Sequence, residues 1–329
     1  MEKINHQVLF VERGLVRLES CPVPVPGPRQ VLIRTRVSLI SPGTERAWLL
    51  GLPNTPATYP QRAGYSNIGQ VVACGPETTG WQPGQRVASP APHARLVVMD
   101  AARCVPVPDG LADEEAVFFN LGSIAAQGVR KARIELGEPV AVLGAGLIGL
   151  LALQLSRLSG ALPALSIDQN THRLEFARQV GADAVLTPNH DLEEQLAVLC
   201  DGPGAAAVIE ATGHPQAILT ALALARPFGR VVLLGSTRGE TDHVNFYRDV
   251  HKKGLSLIGA HDSARPGHDS APQWWTRRDD QHAVLKFMAA GRLQVLPLIT
   301  HRFSWDEAEQ AYDLLIHWNL DALGILLKW

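Results

Sequence analysis

Residues 140–168 read VAVLGAGLIGLLALQLSRLSGALPALSID, and no other stretch restricts the fold as much. A short apolar run at 140–143 enters a turn carrying Gly144, Gly146 and Gly149, an apolar segment follows at 147–158, and a second short run ends at Asp168. The spacing predicts strand, turn, helix and strand.

Each part meets a requirement of holding a dinucleotide. Gly144 permits a tight exit from the strand, Gly146 leaves room for a pyrophosphate to approach the backbone, and Gly149 lets the helix lie close on the sheet. The amides that open the helix, at Leu147 and Ile148, have no partner within it and face phosphate charge with the positive end of the helix dipole behind them. A carboxylate at Asp168 accepts hydrogen bonds from the adenine ribose hydroxyls and repels a 2′-phosphate, which favours NADH over NADPH. Gln169 continues that loop without an immediate arginine, and His172 and Arg173 follow close behind.

Composition bounds the rest. With 329 residues, 46% hydrophobic and 19% charged, the chain reads as a soluble globular protein long enough for two domains. A net charge of −2 and the lack of any basic block interleaved with aromatics argue against nucleic acid or an anionic membrane as partner. No apolar run has the length and uniformity of a membrane span, and the first residues lack a secretory pattern, so a cytoplasmic location is expected. Cys21, Cys74, Cys104 and Cys200 are scattered without a CxxC pair and read as reduced thiols.

Taken in order, the chain opens with short apolar runs and a proline-rich joint, CPVPVPGP at 21–28, that excludes helix. Strands are expected at 31–37, 71–74 and 95–99, with a turn into another at 83–87. Two segments, 38–50 (SLISPGTERAWLL) and 59–72 (YPQRAGYSNIGQVV), mix polar residues and glycine with apolar runs and read as loops converging on a site. Residues 113–133 have helical character, with Asp113 as a cap. Beyond Asp168, THRLEFARQVGADAVL predicts helix then strand, AAAVIEATG at 205–213 and GRVVLLGST at 229–237 each predict strand then turn, and a further strand is expected at 255–260. Strands alternating with helices argue for a parallel sheet covered on both faces. The last portion carries a strand at 298–303, a helix capped by Ser304 with Glu307 three residues on, and an apolar terminal strand.

These pieces, in this order, resemble the medium-chain dehydrogenase/reductase superfamily of the alcohol dehydrogenase type over nearly the whole chain. The matching residues are Pro83-Gly84-Gln85-Arg86-Val87, the glycine turn at 144–149, Asp168 with Arg173 five residues later, Glu210-Ala211-Thr212-Gly213, Leu234-Gly235-Ser236, and ITHRFSWDEAEQAY from Ile299. The resemblance implies an α/β chain: a GroES-like β-rich catalytic domain at 1–120, a Rossmann domain with a doubly wound parallel sheet at 121–295, and a C-terminal return to the first domain at 296–329. It also implies cofactor contacts from Ala211, Thr212, Gly213, Gly235, Ser236 and Thr237, and a homodimer.

The departures from that pattern concern zinc. Where zinc-dependent relatives have Cys-Gly-Thr/Ser-Asp, this chain has Pro42-Gly43-Thr44-Glu45; where they have Gly-His-Glu, it has Gly64-Tyr65-Ser66; and Asn120-Leu121-Gly122 stands in place of Glu-Pro-Leu. Catalytic zinc takes three protein donors, and none of these positions supplies one. The four cysteines of a structural zinc lobe are absent as well, so no zinc is expected. The segments SPGTER and GYSNIG resemble a zinc-free branch that includes N-terminal parts of two-domain oxidoreductases and bacteriochlorophyllide dehydrogenases.

The resemblance implies that Thr44 relays a proton. Tyr65, at the site of the missing imidazole, reads either as hydrogen-bond donor and general acid or as pocket wall. Glu45 and Arg46 either orient a substrate or form a surface ion pair. His93 is an acid–base group or a solvated turn residue, and Asn120 is a candidate donor to a substrate oxygen. Trp274 and Trp275 cover either a substrate or a subunit interface. The function expected is a zinc-independent oxidoreductase moving hydride between NAD(H) and a hydroxyl or carbonyl of a small polar substrate: a sugar, cyclitol or secondary alcohol. Its rivals are an enone or quinone double-bond reductase and an NAD-binding protein without catalysis.

Overall fold

A computed structural model describes residues 4–317 and 319–329. Packing divides the chain into two compact units, one of Met1–Asn120, Gln281–Gly291 and Leu298–Trp329, the other of Leu121–Asp280 and Arg292–Pro297. Residues 281–291, which the sequence runs on with the second domain, group with the first. Gln281 is part of the reason, since its amide donates to Asn120.

The first unit is β-rich. Its larger sheet has the order Ile299–Ser304, Gly324–Lys328, Gln30–Ile40, Asn67–Cys74, Arg86–Ser89 and Val105–Pro106, with Leu96–Asp100 also paired to Gln30–Ile40. A three-stranded sheet places Ile4–Glu12 between Leu15–Pro22 and Gln61–Arg62. The chain's last strand is thus an interior member of the first unit's sheet: Ile325 stands opposite Ile40 and Leu327 opposite Ser38 in an antiparallel ladder. That register turns Ile325 and Leu327 into a core with Phe10, Ile40, Leu49 and Tyr312. A separate core gathers Val31, Ile33, Val71, Val87 and Val97. The turn at Ser304 forms the expected capping box with Glu307. Asp113 does not cap its helix. Ala112 holds that position, and the Asp113 carboxylate instead takes the Arg86 guanidinium at 2.6 Å, a charge-assisted contact stronger than a bond to a helix amide.

The second unit is a six-stranded parallel sheet, its strands numbered here in chain order: β1 (Val140–Leu143), β2 (Ala164–Ile167), β3 (Ala184–Leu186), β4 (Ala205–Glu210), β5 (Ala225–Leu233) and β6 (Ser256–Gly259). Their spatial order is β3-β2-β1-β4-β5-β6, with every neighbouring pair parallel. β1, β2 and β4 are buried along their whole length, which explains their unbroken apolar sequences. Strand order reverses between β1 and β4, and that is where an open α/β sheet leaves a crevice at its carboxyl edge. No helix among the described residues is long and apolar enough to cross a membrane. The four cysteines are free thiols.

The Leu147–Leu158 helix, buried on nearly every side, sits tight against the turn that precedes it. A Cβ built on Gly149 would fall 1.8 Å from the Gly144 carbonyl oxygen, so any larger residue must push the helix off the sheet. Gly149→Ala is therefore expected to lower unfolding free energy by about 1–3 kcal/mol in urea titrations. A loss below about 0.5 kcal/mol, the range of a neutral surface change, would contradict the close approach.

Candidate functional site

The sequence-assigned cofactor residues lie together at the carboxyl ends of the central strands. Gly144 follows β1, Asp168 follows β2, Ala211–Thr212–Gly213 follow β4, and Gly235–Ser236–Thr237 stand just beyond β5. Backbone bonds tie these exits to one another: Gly144 N–H donates to Ile167 O at 2.7 Å and Ala211 N–H to Leu143 O at 2.8 Å. Leu234 and Gly235 both donate to Glu210 O, at 2.9 and 2.7 Å. The turns form a joined shelf instead of independent loops.

Within that shelf, Gly144 adopts φ +103°, a conformation that L side chains rarely take, and a Cβ there would meet the Thr212 side chain at 2.8 Å. Nothing lies within 4 Å of a Cβ built on Gly146, which caps the helix without any side-chain bond to its amides. Open space in front of unpaired amides at a helix start is what a pyrophosphate requires. Asp168 Oδ2 accepts from Ala145 N–H at 2.6 Å and Oδ1 from Asn170 N–H at 2.8 Å. Each oxygen keeps acceptor capacity for a ribose hydroxyl. Asn170 caps the next helix through His172 and Arg173 N–H, and Gln169 is exposed beside it. The residues present fit a nicotinamide dinucleotide.

The shelf also holds a residue whose role is not legible in the sequence. Glu210, fully buried at the end of β4, accepts through Oε1 from Thr212 N–H at 2.6 Å, Gly213 N–H at 3.1 Å and the Thr212 hydroxyl. Its Oε2 is buried without a partner. Burial pushes the carboxyl above the usual carboxylate range, against the pull of the Thr212 and Gly213 donors.

Trp274 and Trp275 are held within the same unit. The Arg130 guanidinium lies 3.4 Å from the Trp275 ring centre and Lys131 Nζ 4.6 Å from that of Trp274, both cation–π contacts. The segment that carries them is anchored by Asp280, fully buried between Arg130 at 2.7 Å and Arg265 at 2.9 Å, with Arg265 also donating to Ser123 O. Both rings have partners in their own unit, and Trp274 remains 47% exposed.

In the β-rich unit the structure corrects several expectations. Residues 38–50 are not a loop: Gln30–Ile40 runs to Ile40 as strand, and Pro42–Leu49 is a helix with proline in its first turn, where a missing N–H costs nothing. Residues 59–72 are loop only in part, since Asn67–Cys74 is a strand. Glu45 is neither a surface ion pair nor an open substrate ligand. It is fully buried, with Oε1 accepting from Ser41 N–H at 2.7 Å and Oε2 taking both the Tyr312 hydroxyl and His93 Nε2, the latter at 3.1 Å. His93 is likewise buried instead of solvated, and its Nδ1 has no partner. Desolvation and the Glu45 charge push the Tyr312 phenol well above its ordinary value, so it stays protonated and donates. Arg46 Nε turns to Leu315 O at 2.9 Å and closes the Ala308–Ile316 helix.

This cluster adjoins the backbone next to the two candidate catalytic residues. Thr44 precedes Glu45 in the helix and is half-buried. Tyr65 follows Gly64, whose Cα faces the His93 ring so closely that a Cβ would lie 2.5 Å from it. The Tyr65 ring is half-buried, tilted against Trp48 at 5.4 Å. Its backbone is clamped: Asn120 Nδ2 donates to Tyr65 O at 2.8 Å, Leu39 N–H to Ser66 O at 3.0 Å, and the Ser66 hydroxyl to Val117 O at 2.6 Å. Asn120, expected as a substrate donor, bonds Tyr65 on one side and accepts from Gln281 at 3.0 Å on the other. Its amide therefore sets the Tyr65 peptide. Among the described residues no three His, Cys, Asp or Glu side chains converge to hold a metal ion.

Comparison with known proteins agrees with this architecture. A family profile described as zinc-binding dehydrogenase matches residues 148–271, a stretch inside the parallel-sheet unit. An alcohol dehydrogenase from Cupriavidus necator is 28% identical over the full length of both chains. A D-guloside 3-dehydrogenase from Shigella flexneri is 26% identical, the match covering 74% of this chain and 71% of that one. Among solved structures, an Escherichia coli alcohol dehydrogenase complexed with NADH superposes with TM-score 0.86 at 21% identity over the whole of both chains. A Sinorhizobium meliloti dehydrogenase bound to NADP superposes with TM-score 0.84 at 22% identity, again over both chains in full. Full-length similarity to such enzymes, together with a glycine turn, an acidic second-strand terminus and a β3-β2-β1-β4-β5-β6 sheet, fits the medium-chain dehydrogenase/reductase superfamily that the sequence resembles.

Proposed function

We propose that the chain is a zinc-independent oxidoreductase that moves hydride between NAD(H) and a hydroxyl or carbonyl of a small polar substrate, a sugar, cyclitol or secondary alcohol. The observation that carries this reading is the shelf at the sheet's carboxyl edge, where an open Gly146, unpaired helix amides and the Asp168 carboxylate come together. Support for the substrate class comes from the full-length alcohol dehydrogenase relative and the guloside dehydrogenase relative. Solved relatives carry NADH in one case and NADP in another, and Asp168 is the reason for favouring NADH here.

A nicotinamide dinucleotide, when bound, supplies or accepts the hydride. The chain's own residues do the rest. Amides at the start of the Leu147–Leu158 helix bind pyrophosphate, and Asp168 orients the adenine ribose while repelling a 2′-phosphate. A carbonyl oxygen that gains negative charge needs a donor, and in relatives with metal a Lewis acid fills that role. Here the donor is the Tyr65 phenol, with Thr44 passing the proton onward. Asn120 and Ser66 hold the Tyr65 peptide, the backbone that carries this donor.

The direct test is a spectrophotometric screen of sugars, cyclitols, secondary alcohols, enones and quinones with NAD(H) and NADP(H), each run with and without EDTA. Turnover of a polyol or sugar with NAD(H), unaffected by the chelator, is expected. Turnover confined to enones or quinones, or abolished by EDTA, would contradict the proposal.

With the substrate so identified, Tyr65→Phe is expected to lower kcat about a hundredfold while leaving the NADH dissociation constant within about twofold. Wild-type kcat would leave Tyr65 as a wall. Asp168→Ala should weaken NADH about tenfold and narrow its advantage over NADPH, read by fluorescence titration. An unchanged preference would remove Asp168 from cofactor selection.

A further inference from the structure

Glu210 is a fully buried carboxylate in a unit whose other fully buried acid, Asp280, sits between two guanidiniums. No cation faces Glu210 among its hydrogen-bond partners; its donors are the Thr212 and Gly213 amides and the Thr212 hydroxyl. Taking a carboxylate out of water is expensive, and here every hydrogen bond it accepts comes from three atoms of one turn.

That turn is joined to its neighbour through the same residue. Glu210 O accepts from Leu234 and Gly235 N–H, while its side chain grips 212–213, so one residue holds the exits of β4 and β5 together. The fit between the two exits leaves no slack. A Cβ on Gly235 would lie 2.4 Å from Gly213 N and 3.0 Å from Glu210 Oε2, and one on Gly213 would lie 2.6 Å from Ser236 O. Gly213 itself adopts φ +69°. Thr212 extends the chain of bonds outward, its hydroxyl accepting from His214 N–H at 2.9 Å.

Sheet topology says which half of a dinucleotide this arrangement serves. A sheet of this order is two mononucleotide-binding halves joined at the reversal point. Asp168 and the glycine turn belong to the β1–β2–β3 half and take the adenosine and pyrophosphate. The β4–β5–β6 half is left for the other mononucleotide, the one carrying nicotinamide.

We infer that Glu210 is a positioning residue for the nicotinamide half of the cofactor, acting through the 211–213 and 234–236 turns and not on the adenosine half. The inference rests on the proposed use of a nicotinamide dinucleotide. ADP carries the adenosine and pyrophosphate without the nicotinamide, so the pair of ligands separates a local effect from a general loss of structure.

The test is calorimetric titration of wild type, Glu210→Ala and Thr212→Val with NADH and with ADP. Glu210→Ala is expected to weaken NADH about tenfold to a hundredfold and ADP by no more than about twofold. Thr212→Val, at an exposed side chain where folding is not in question, should give the same split in smaller measure, about threefold to tenfold for NADH. Equal losses for NADH and ADP in Thr212→Val, or NADH binding unchanged in both variants, would overturn the inference. Wild-type protein that takes up ADP but shows no gain from the nicotinamide moiety would overturn it too. Wild-type protein that binds neither ligand would instead remove the cofactor reading on which it rests.

Discussion

The start of the Leu147–Leu158 helix is pressed against the Gly144 carbonyl, with room at Gly149 for a hydrogen and nothing more. From that contact follow the direction of the helix axis, the aim of its first amides and the open ground before Gly146. The neighbouring exits are then fixed in turn, because β2 and β4 are bonded to β1 right up to their last residues, Ile167 and Glu210. A binding shelf made mainly of backbone needs its strands in register more than it needs particular side chains. That explains how a chain only 21% identical to a solved structure keeps the same fold.

Buried carboxylates mark the places where each unit does something beyond folding. Asp280 has two guanidiniums, and its work is to pin the segment bearing Trp274 and Trp275 onto the unit. Glu45 has an amide, a phenol and an imidazole, and it supports the helix of Thr44 and the ring under Gly64. Glu210 has amides and a hydroxyl, and it couples two turns. A buried acid is weak evidence for stability, since its desolvation offsets much of its attraction. In all three cases what the bonds determine is the position of a neighbour.

How much of this could be read beforehand depends on distance along the chain. The glycine turn, Asp168 and the Ser304 capping box were legible because each is a local pattern whose partners lie within a few residues. The Pro42–Leu49 helix reads as loop in the sequence because polar residues and glycine interrupt its apolar ones, although proline suits a first helical turn. The roles of Glu45, His93 and Asn120 were not legible. Glu45 meets His93 across 48 residues and Tyr312 across 267, and Asn120 meets Gln281 across 161. A sequence shows that such groups are polar; only the fold shows that they are enclosed and facing one another. The helices Leu192–Leu199, Ala217–Leu224 and Arg277–Ala289 were also unread, their patterns lying between stronger strand signals.

Backbone at the carboxyl edge of the β3-β2-β1-β4-β5-β6 sheet forms the proposed dinucleotide site. Titration of the purified wild-type protein with NADH alone, followed by calorimetry, tests it most directly. Saturable uptake of one NADH per chain, with no added metal and no substrate, is the result predicted. A flat titration from folded protein would contradict the account.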